Sequence, residues 1–218
     1  MSRLDAVLFD MDGLLVDTEP QWFAAEGATV TELGGVWGKT EQHALLGTNL
    51  EFAADYMIAH TGSRLTQEAV MKMLFDNMTV QLAQRVEFQP GALTLLDELA
   101  RADVRVGMVT SSVRDHVAVV LARIPDHPFQ AVVTADDVPR LKPDPLPYVT
   151  ALEQLGARAS HSVVLEDSPH GVKAGEGAGC HVVAVPSIVP IEPAPGRSVV
   201  PSLVELSLSR LEALTLDS

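Results

Sequence analysis

The chain has 218 residues, 47% of them hydrophobic, and a formal net charge of -14 at pH 7 with an isoelectric point near 4.7. This length fits one large domain or a main domain with a smaller insertion, and the apolar content is ample for a sizeable core. The surplus of acidic residues argues against nucleic acid or an anionic membrane as a partner, because few Lys and Arg are left to neutralise phosphates. An anionic small molecule would need a metal ion or one or two cations concentrated at its site.

A single cysteine, Cys180, excludes an internal disulfide framework and suits a reducing compartment. No apolar stretch reaches the ~18 residues that span a bilayer, and the N-terminus lacks the pattern of a signal peptide. We therefore expect a soluble, cytoplasmic protein that binds neither nucleic acid nor membranes.

The first predicted element is a short strand that acidic residues follow at once. Ala6 to Phe9 is an apolar run typical of a strand buried on both faces, and Asp10 and Asp12 come where it ends. Gly13 then gives the chain freedom to turn. Ligands of open parallel sheets bind outside the carboxyl ends of the strands. The paired carboxylates therefore predict a functional site, although an acidic surface turn would show the same residues.

Four helices with no strand between them are predicted next, and together they form an all-α insert over residues 17–86. Their predicted bounds are Glu19 to about Leu33, Glu41 to Leu46 with Gly47 as the stop, Asn49 to about His60 behind a Thr48–Glu51 capping box, and Thr66 to Arg85. The last helix carries an i, i+4 apolar stripe of Val70, Leu74, Met78 and Leu82.

From residue 87 onward strand and helix patterns alternate. The predicted strands are Val104–Val109, Ala131–Val133, Ser162–Leu165 and His181–Val185, with helices at 92–101, 115–123, 145–155 and 170–178. This alternation predicts an α/β fold with a doubly wound parallel sheet, a Rossmann-like core of residues 1–16 and 87–218 around the helical insert. We predict a surface loop over Pro186 to Pro201 and a helical tail, Ser202 to Leu214, packed on the sheet.

The run from Asp10 to Glu19 resembles the first motif of the haloacid dehalogenase-like (HAD) phosphohydrolases, Asp-x-Asp-Gly-x-(apolar)-x-Asp-(Ser/Thr). The resemblance implies that Asp10 is the nucleophile that attacks phosphorus and that Asp12 is the general acid/base for the leaving oxygen. A carboxylate can form a covalent aspartyl-phosphate, and a second carboxyl in a different environment can carry the proton. Gly13 is assigned to the phosphate-binding loop.

Two further segments resemble the second and third motifs of the family. The strand that ends in Thr110 implies that this hydroxyl, with the amide of Ser111, holds the phosphoryl oxygens, although a helix N-cap would explain Thr110 as well. Lys142 before Pro143 matches the Lys that neutralises charge at the nucleophile and phosphate, whereas a lone Lys is ordinarily a solvated surface residue. Leu141 stands where many relatives have Gly.

Glu166 and Asp167 follow a buried strand in a segment that resembles the fourth motif. The resemblance implies that Asp167 binds Mg²⁺ directly and Glu166 directly or through water. The carboxylate of Asp10 and the backbone carbonyl of Asp12 complete the set. Two carboxylates ~4 Å apart repel by ~4 kcal/mol at an effective dielectric near ~20. The acids themselves therefore argue for a divalent cation and for Lys142.

The helical insert lies in sequence where the family has a cap, as in the branch of β-phosphoglucomutase, sugar-phosphate phosphatases and phosphoglycolate phosphatases. The resemblance implies a monomer and a cap that closes over the site, with hinges at Val16–Glu19 and Gln84–Gln89. The cap residues proposed to contact substrate are Trp22, Lys39, His43, Thr48 and Asn49.

Asp12 favours phosphoryl transfer over dehalogenation, which needs no acid there. The mutase residues that grip the sugar phosphate, a Lys and an Arg, fall at Leu46 and Leu50, and its early His falls at Trp22. We therefore expect a Mg²⁺-dependent phosphatase that hydrolyses a small phosphorylated metabolite, foremost a sugar phosphate, through an aspartyl-phosphate. The alternatives are a mutase of the β-phosphoglucomutase type and a non-catalytic phospho-ligand or metal-binding module.

Overall fold

The protein is described by a computed structural model that covers residues 4–45, 48 and 50–214. The chain divides into two units, one formed by Met1–Asp17 with Glu87–Ser218 and the other by Thr18–Val86. Within the described residues the first unit contains all the strands, and the second contains helices and loops. No helix in this part of the chain combines the length and the apolar character that crossing a membrane requires.

Six parallel strands form one sheet in the order β3-β2-β1-β4-β5-β6. They are β1 (Ala6–Phe9), β2 (Arg105–Val109), β3 (Phe129–Val133), β4 (Ser162–Glu166), β5 (His181–Ala184) and β6 (Arg197–Val199). The strand order reverses between β1 and β4. Open α/β sheets bind ligands at such a reversal, outside the carboxyl ends of the strands.

The helices observed in the described residues follow the predicted sequence of elements. They are α1 (Glu19–Glu32), α2 (Lys39–Leu45), α3 (Leu50–Thr61), α4 (Gln67–Gln84), α5 (Ala92–Arg101), α6 (Arg114–Leu121), α7 (Leu146–Leu155), α8 (Pro169–Gly177) and α9 (Leu208–Leu214). The prediction of an α/β fold with a doubly wound parallel sheet and an all-α insert is confirmed. Three residues of the predicted helix ends and substrate contacts, Leu46, Gly47 and Asn49, lie outside the described residues.

The central strands β1 and β4 are buried along their whole length. This burial explains why both read as continuous apolar runs rather than alternating ones. Phe9 and Leu8 are fully buried, and each such side chain contributes roughly 1.5–3 kcal/mol by leaving water. The apolar strands thus form a rigid base for the polar residues that follow them.

Two predictions for the C-terminal part need correction. The segment predicted as a loop, Pro186 to Pro201, contains β6, which pairs in parallel with β5 at the edge of the sheet. The three residues of β6, which follow Pro195-Gly196, carry too little pattern to reveal a strand, because the hydrogen bonds of β6 are made with a partner distant in sequence. The tail, predicted as one helical segment from Ser202 to Leu214 on the sheet, instead forms a 3-10 turn, Leu203–Glu205, followed by α9. Both contact α5, where the Leu208 amide donates to Glu98 Oε1 at 3.1 Å.

In the helical unit the predicted apolar stripe of α4 is confirmed, with Val70, Leu74, Met78 and Leu82 at most 1% exposed. Thr66 caps this helix by accepting a hydrogen bond from the Ala69 amide at 3.3 Å. Thr48, predicted to cap α3, instead donates its hydroxyl to the carbonyl of Leu45 at the end of α2, at 2.8 Å.

Candidate active site

The strand register gathers the predicted site residues at the carboxyl ends of the central strands. Phe9, the last residue of β1, lies opposite Met108 on one side and Leu165 on the other. The residues after these positions therefore meet. Asp10 is 6% exposed, and its amide donates to the Leu165 carbonyl at 3.0 Å.

Lys142 joins three of the strand ends. Its Nζ donates to the carboxylate of Asp10, to Oε1 of Glu166 at 2.6 Å and to the Val109 carbonyl at 2.8 Å. Its side chain is only 6% exposed. The surface interpretation of this Lys is therefore wrong, because a buried ammonium needs this set of acceptors.

Glu166 is fully buried, and protein donors occupy both of its carboxylate oxygens. Oε1 accepts from Lys142 and, at 2.6 Å, from the hydroxyl of Tyr148. Oε2 lies 3.2 Å from the Asp167 amide, and Ser168 offers both its hydroxyl at 3.2 Å and its amide at 3.4 Å. A Cβ at Gly171 would lie 1.8 Å from Oε1, so only glycine fits at that position beside the carboxylate.

Asp167 is oriented from the opposite side by Ser187, whose hydroxyl donates to Oδ2 at 2.5 Å. Gly13 has a φ of +83°, and a Cβ there would lie 2.1 Å from the same Oδ2. Gly13 is therefore needed for its backbone conformation and for the close approach of Asp167. Its own amide donates to the Val16 carbonyl at 2.8 Å, and Gln89 donates to its carbonyl at 3.0 Å.

Asp12 is bound by hydroxyls from the end of β2. Ser112 donates to its Oδ2 at 2.7 Å and Thr110 donates to the same oxygen at 3.2 Å. Ser111, between them, is half-buried. The other oxygen, Oδ1 of Asp12, is buried and has no hydrogen-bond partner among the described residues.

The electrostatics show an excess of negative charge. Burial raises the pKa of Asp10 well above its usual range; Lys142 opposes this rise, whereas Glu166 and Asp167 add to it. Burial, followed by the charge of Glu166, raises the pKa of Asp167 to about 7. Burial alone would lower the pKa of Lys142, but Asp10 and Glu166 raise it overall, so it stays protonated.

Asp10, Glu166 and Asp167 form a group whose candidate ligand oxygens all lie within 4.8 Å of one another. Carboxylate oxygens are the ligands that Mg²⁺ prefers. One lysine faces three buried acids, so a divalent cation would balance the charge that now raises two carboxyl pKa values. The donor set and its charge therefore fit the metal that the family resemblance implies.

The structure brings together every predicted site residue of the α/β unit: Asp10, Asp12, Gly13, Thr110, Ser111, Lys142, Glu166 and Asp167. The predicted substrate residues of the helical unit are placed within that unit by itself. Trp22 is half-buried on α1, whereas Lys39 and His43 are exposed on α2 and Thr48 is exposed after it. Their contact with substrate stays a prediction.

Four hydrogen-bond donors of this site were not predicted: Ser112, Tyr148, Ser168 and Ser187. Ser168 lies in the fourth motif, two residues after the end of β4. Ser187 follows β5, so the rule that found the other strand-end residues could have found it. Tyr148 lies on the buried face of α7 with Ala151, Leu152 and Leu155. A lone hydroxyl on such an apolar face needs a partner, which is a detectable signal. Ser112 had no signal beyond its place in a polar turn.

Comparison with known proteins identifies the family. The family described as "Haloacid dehalogenase-like hydrolase" matches residues 7–185. Hexitol phosphatase A of Escherichia coli (strain K12) is 32% identical over 222 residues, which cover 98% of this chain and 94% of that protein. Pyrophosphatase PpaX of Bacillus velezensis is 31% identical over 188 residues, 84% of this chain and 83% of that one.

A solved structure shows the same architecture over nearly the whole chain. The crystal structure of CbbY from Rhodobacter sphaeroides in complex with phosphate superposes with a TM-score of 0.83 at 26% identity, covering 96% of this chain and 99% of that one. The match by family, by sequence and by structure confirms the resemblance that the four motifs indicated. The chain belongs to the haloacid dehalogenase-like hydrolase family.

Proposed function

We propose that this enzyme, a phosphatase of the haloacid dehalogenase-like family, hydrolyses a small phosphate monoester with the help of Mg²⁺ and through an aspartyl-phosphate on Asp10. The single observation that carries the proposal is the buried contact of Asp10 with Lys142, beside a second carboxylate, Asp12, held by hydroxyls at the same strand ends. A nucleophile and an acid in different environments are what phosphoryl transfer by a carboxylate requires.

In the first step the carboxylate of Asp10 attacks phosphorus and the bond to the ester oxygen breaks. Asp12 gives its proton to that oxygen, so an alcohol leaves and an aspartyl-phosphate remains. In the second step Asp12, now a carboxylate, takes a proton from water as the water oxygen attacks phosphorus. Asp10 is released together with inorganic phosphate. General acid/base catalysis of this kind contributes about 10²–10⁴-fold in rate.

The other residues neutralise charge and orient the phosphoryl group. Lys142 neutralises the charge at Asp10, and the hydroxyl of Thr110 with the amide of Ser111 binds the phosphoryl oxygens. The amide of Gly13 is engaged with Val16. We therefore propose that Gly13 serves by admitting Asp167 rather than by binding phosphate.

Mg²⁺ would be held by the carboxylates of Asp10 and Asp167 and by the backbone carbonyl of Asp12. A divalent cation held by these groups would supply positive charge to balance that of the phosphoryl group. Glu166 belongs to the same acidic group, but five donor atoms already occupy its oxygens. We propose that the chief task of Glu166 is to hold Lys142, and that its charge would add to the metal site formed with Asp10 and Asp167.

The substrate class proposed is a phosphorylated sugar or sugar alcohol. Hexitol phosphatase A supports this choice, and PpaX makes pyrophosphate the first competitor to be tested. Residues 17–86 are proposed as the cap that selects among these esters, and residues 1–16 and 87–218 as the catalytic core. A cytoplasmic location and a monomeric state stay predictions.

The test is phosphate release from a panel of sugar phosphates, hexitol phosphates and pyrophosphate, with and without Mg²⁺, for the native chain and Asp10→Asn. We expect metal-dependent release that falls by ~10⁴-fold or more in the variant, because removal of a nucleophile abolishes the covalent route. Unchanged release by Asp10→Asn would overturn the mechanism. Isomerisation of a sugar phosphate without release would replace the phosphatase by the mutase.

A further inference from the structure

Two hydroxyl groups donate to the proposed acid, Asp12, and they differ in the other hydrogen bonds that they make. The Ser112 hydroxyl is 2.7 Å from Asp12 Oδ2, and the Thr110 hydroxyl is 3.2 Å from the same oxygen. Thr110 also accepts a hydrogen bond from the Ser112 amide at 2.9 Å. Since a hydroxyl carries one proton, Thr110 cannot donate to Asp12 and to a phosphoryl oxygen at the same time.

No phosphate contact is proposed for the Ser112 hydroxyl, and both the amide and the carbonyl of this residue are hydrogen-bonded. Its amide donates to Thr110, and its carbonyl accepts from the Ala135 amide at 3.0 Å. The residue is only 7% exposed. The backbone contacts fix the direction of the Cα–Cβ bond, and the hydrogen bond to Asp12 selects the rotamer of the hydroxyl, which is what a positioning contact requires.

We infer that Ser112 is the positioning residue for the general acid: its hydroxyl holds Asp12 Oδ2 while Thr110 turns to the phosphate, and it leaves Oδ1 of Asp12 free to exchange a proton with the leaving oxygen. Oδ1 suits that task because it has no hydrogen-bond partner among the described residues. This inference rests on the proposed function, since it assumes that Asp12 protonates the alcohol. It adds a residue that the four motifs do not assign.

The experiment compares Ser112→Ala with the native chain on two esters, an alkyl phosphate taken from the panel and p-nitrophenyl phosphate. The alkyl alcohol is a poor leaving group and needs the acid, whereas p-nitrophenolate leaves largely without one. We expect kcat/KM for the alkyl ester to fall about tenfold, at the lower end of acid-catalysis effects, and that for p-nitrophenyl phosphate to change less than about twofold. The inhibition constant of inorganic phosphate should not change.

Two variants control for folding and for loss of a buried hydroxyl. Ser112→Thr keeps the hydroxyl and should restore most of the activity on the alkyl ester. Ser162→Ala removes another buried hydroxyl at the opposite end of β4, where it donates to the Arg158 carbonyl at 2.8 Å, and should leave the ratio between the two esters unchanged.

Equal losses on both esters together with weaker phosphate inhibition would overturn the inference, because Ser112 would then be a phosphate ligand. Failure of Ser112→Thr to recover activity while the variant melts like the native chain would also overturn it. These outcomes differ from failure of the proposed function itself, in which the native chain releases phosphate from no ester.

Discussion

The two units hold their polar side chains in different ways. In the helical unit, Thr29, Thr31, Thr61 and Thr79 each donate to the carbonyl four residues earlier in the same helix. In the α/β unit, the hydroxyl of Ser112 and the ammonium of Lys142 reach carboxylates 100 and 132 residues away in sequence. The threonine hydroxyls thus find acceptors within their own helix. At the candidate active site, by contrast, the donors reach buried carboxylates that are distant in sequence, and these contacts assemble the reactive groups.

This difference has an energetic consequence. An exposed threonine bonded to its own helix, such as Thr31, can be removed with little effect, because water replaces the contact. Removing one member of the buried group around Asp10 leaves a charge without its partner, which costs several kcal/mol. The α/β unit should therefore be far more sensitive to isosteric changes than the helical unit.

The strongest test of this comparison is Lys142→Met, which keeps the length of the side chain and removes its charge. We expect loss of phosphate release and a decrease of about 3–5 kcal/mol in the free energy of unfolding, because Asp10 and Glu166 lose their shared cation. Urea denaturation measures the change. The matched control is Lys72→Met, whose exposed ion pair with Asp76 should contribute at most about 0.5 kcal/mol. Equal stabilities of the two variants would contradict the comparison.

A smaller decrease in the free energy of unfolding is expected from Tyr148→Phe. This change keeps the buried ring and removes the hydroxyl that donates to Glu166. The ring also lies under Lys142, with Nζ 4.9 Å from its centre. Loss of a hydrogen bond to a charged group costs about 2 kcal/mol, and activity should fall because the Lys142–Glu166 pair is less firmly held.

Tyr56→Phe provides the control in the helical unit, where the Tyr56 ring packs against those of Trp37 and Phe52. Its midpoint of urea denaturation should equal that of the native chain. A Tyr148→Phe variant with the same midpoint would show that the hydroxyl on Glu166 is dispensable.

The smallest change in stability concerns a non-local contact within the helical unit, in which the Glu26 carboxylate accepts from the Trp37 indole at 3.1 Å. Burial raises its pKa from 4.5 to about 7. The folded protein thus binds this proton more tightly than the unfolded chain does. The resulting stabilisation is fully present below pH 4.5 and is lost as the pH rises through about 7.

Between pH 5 and 8 the free energy of unfolding of the native chain, measured by thermal unfolding, should therefore fall by on the order of 1 kcal/mol more than that of Glu26→Gln. The loss that comes from the raised pKa of Asp167 is common to both proteins and cancels in the difference. Glu153→Gln, on an exposed position of α7, should behave like the native chain. If native chain and Glu26→Gln lose stability in parallel, Glu26 is not the group that titrates.

Much of the fold could be predicted because its signals are local. The apolar runs of β1 and β4 and the stripe on α4 follow the residue periods of strand and helix, which depend only on backbone geometry. The element β6 could not be predicted in this way, since its three residues are a strand only through pairing with β5. Most helix ends lie within two residues of the prediction, which is the usual uncertainty of a helix terminus. The tail differs more, because its predicted helical pattern starts at Ser202 whereas α9 starts at Leu208.

The candidate site likewise contains residues that the sequence predicts and residues that only the tertiary structure places there. The sequence by itself determined which acids follow the strands, because parallel strands bring their carboxyl ends together whatever the details of packing. Lys142 lies nine residues after β3 and was indicated by the family motif rather than by this rule. Only the tertiary structure decided which donors reach them: Tyr148 on Glu166, Ser187 on Asp167 and Ser112 on Asp12. Those contacts depend on which strands, helices and turns become neighbours in space, and the spacing of residues along the chain does not determine that.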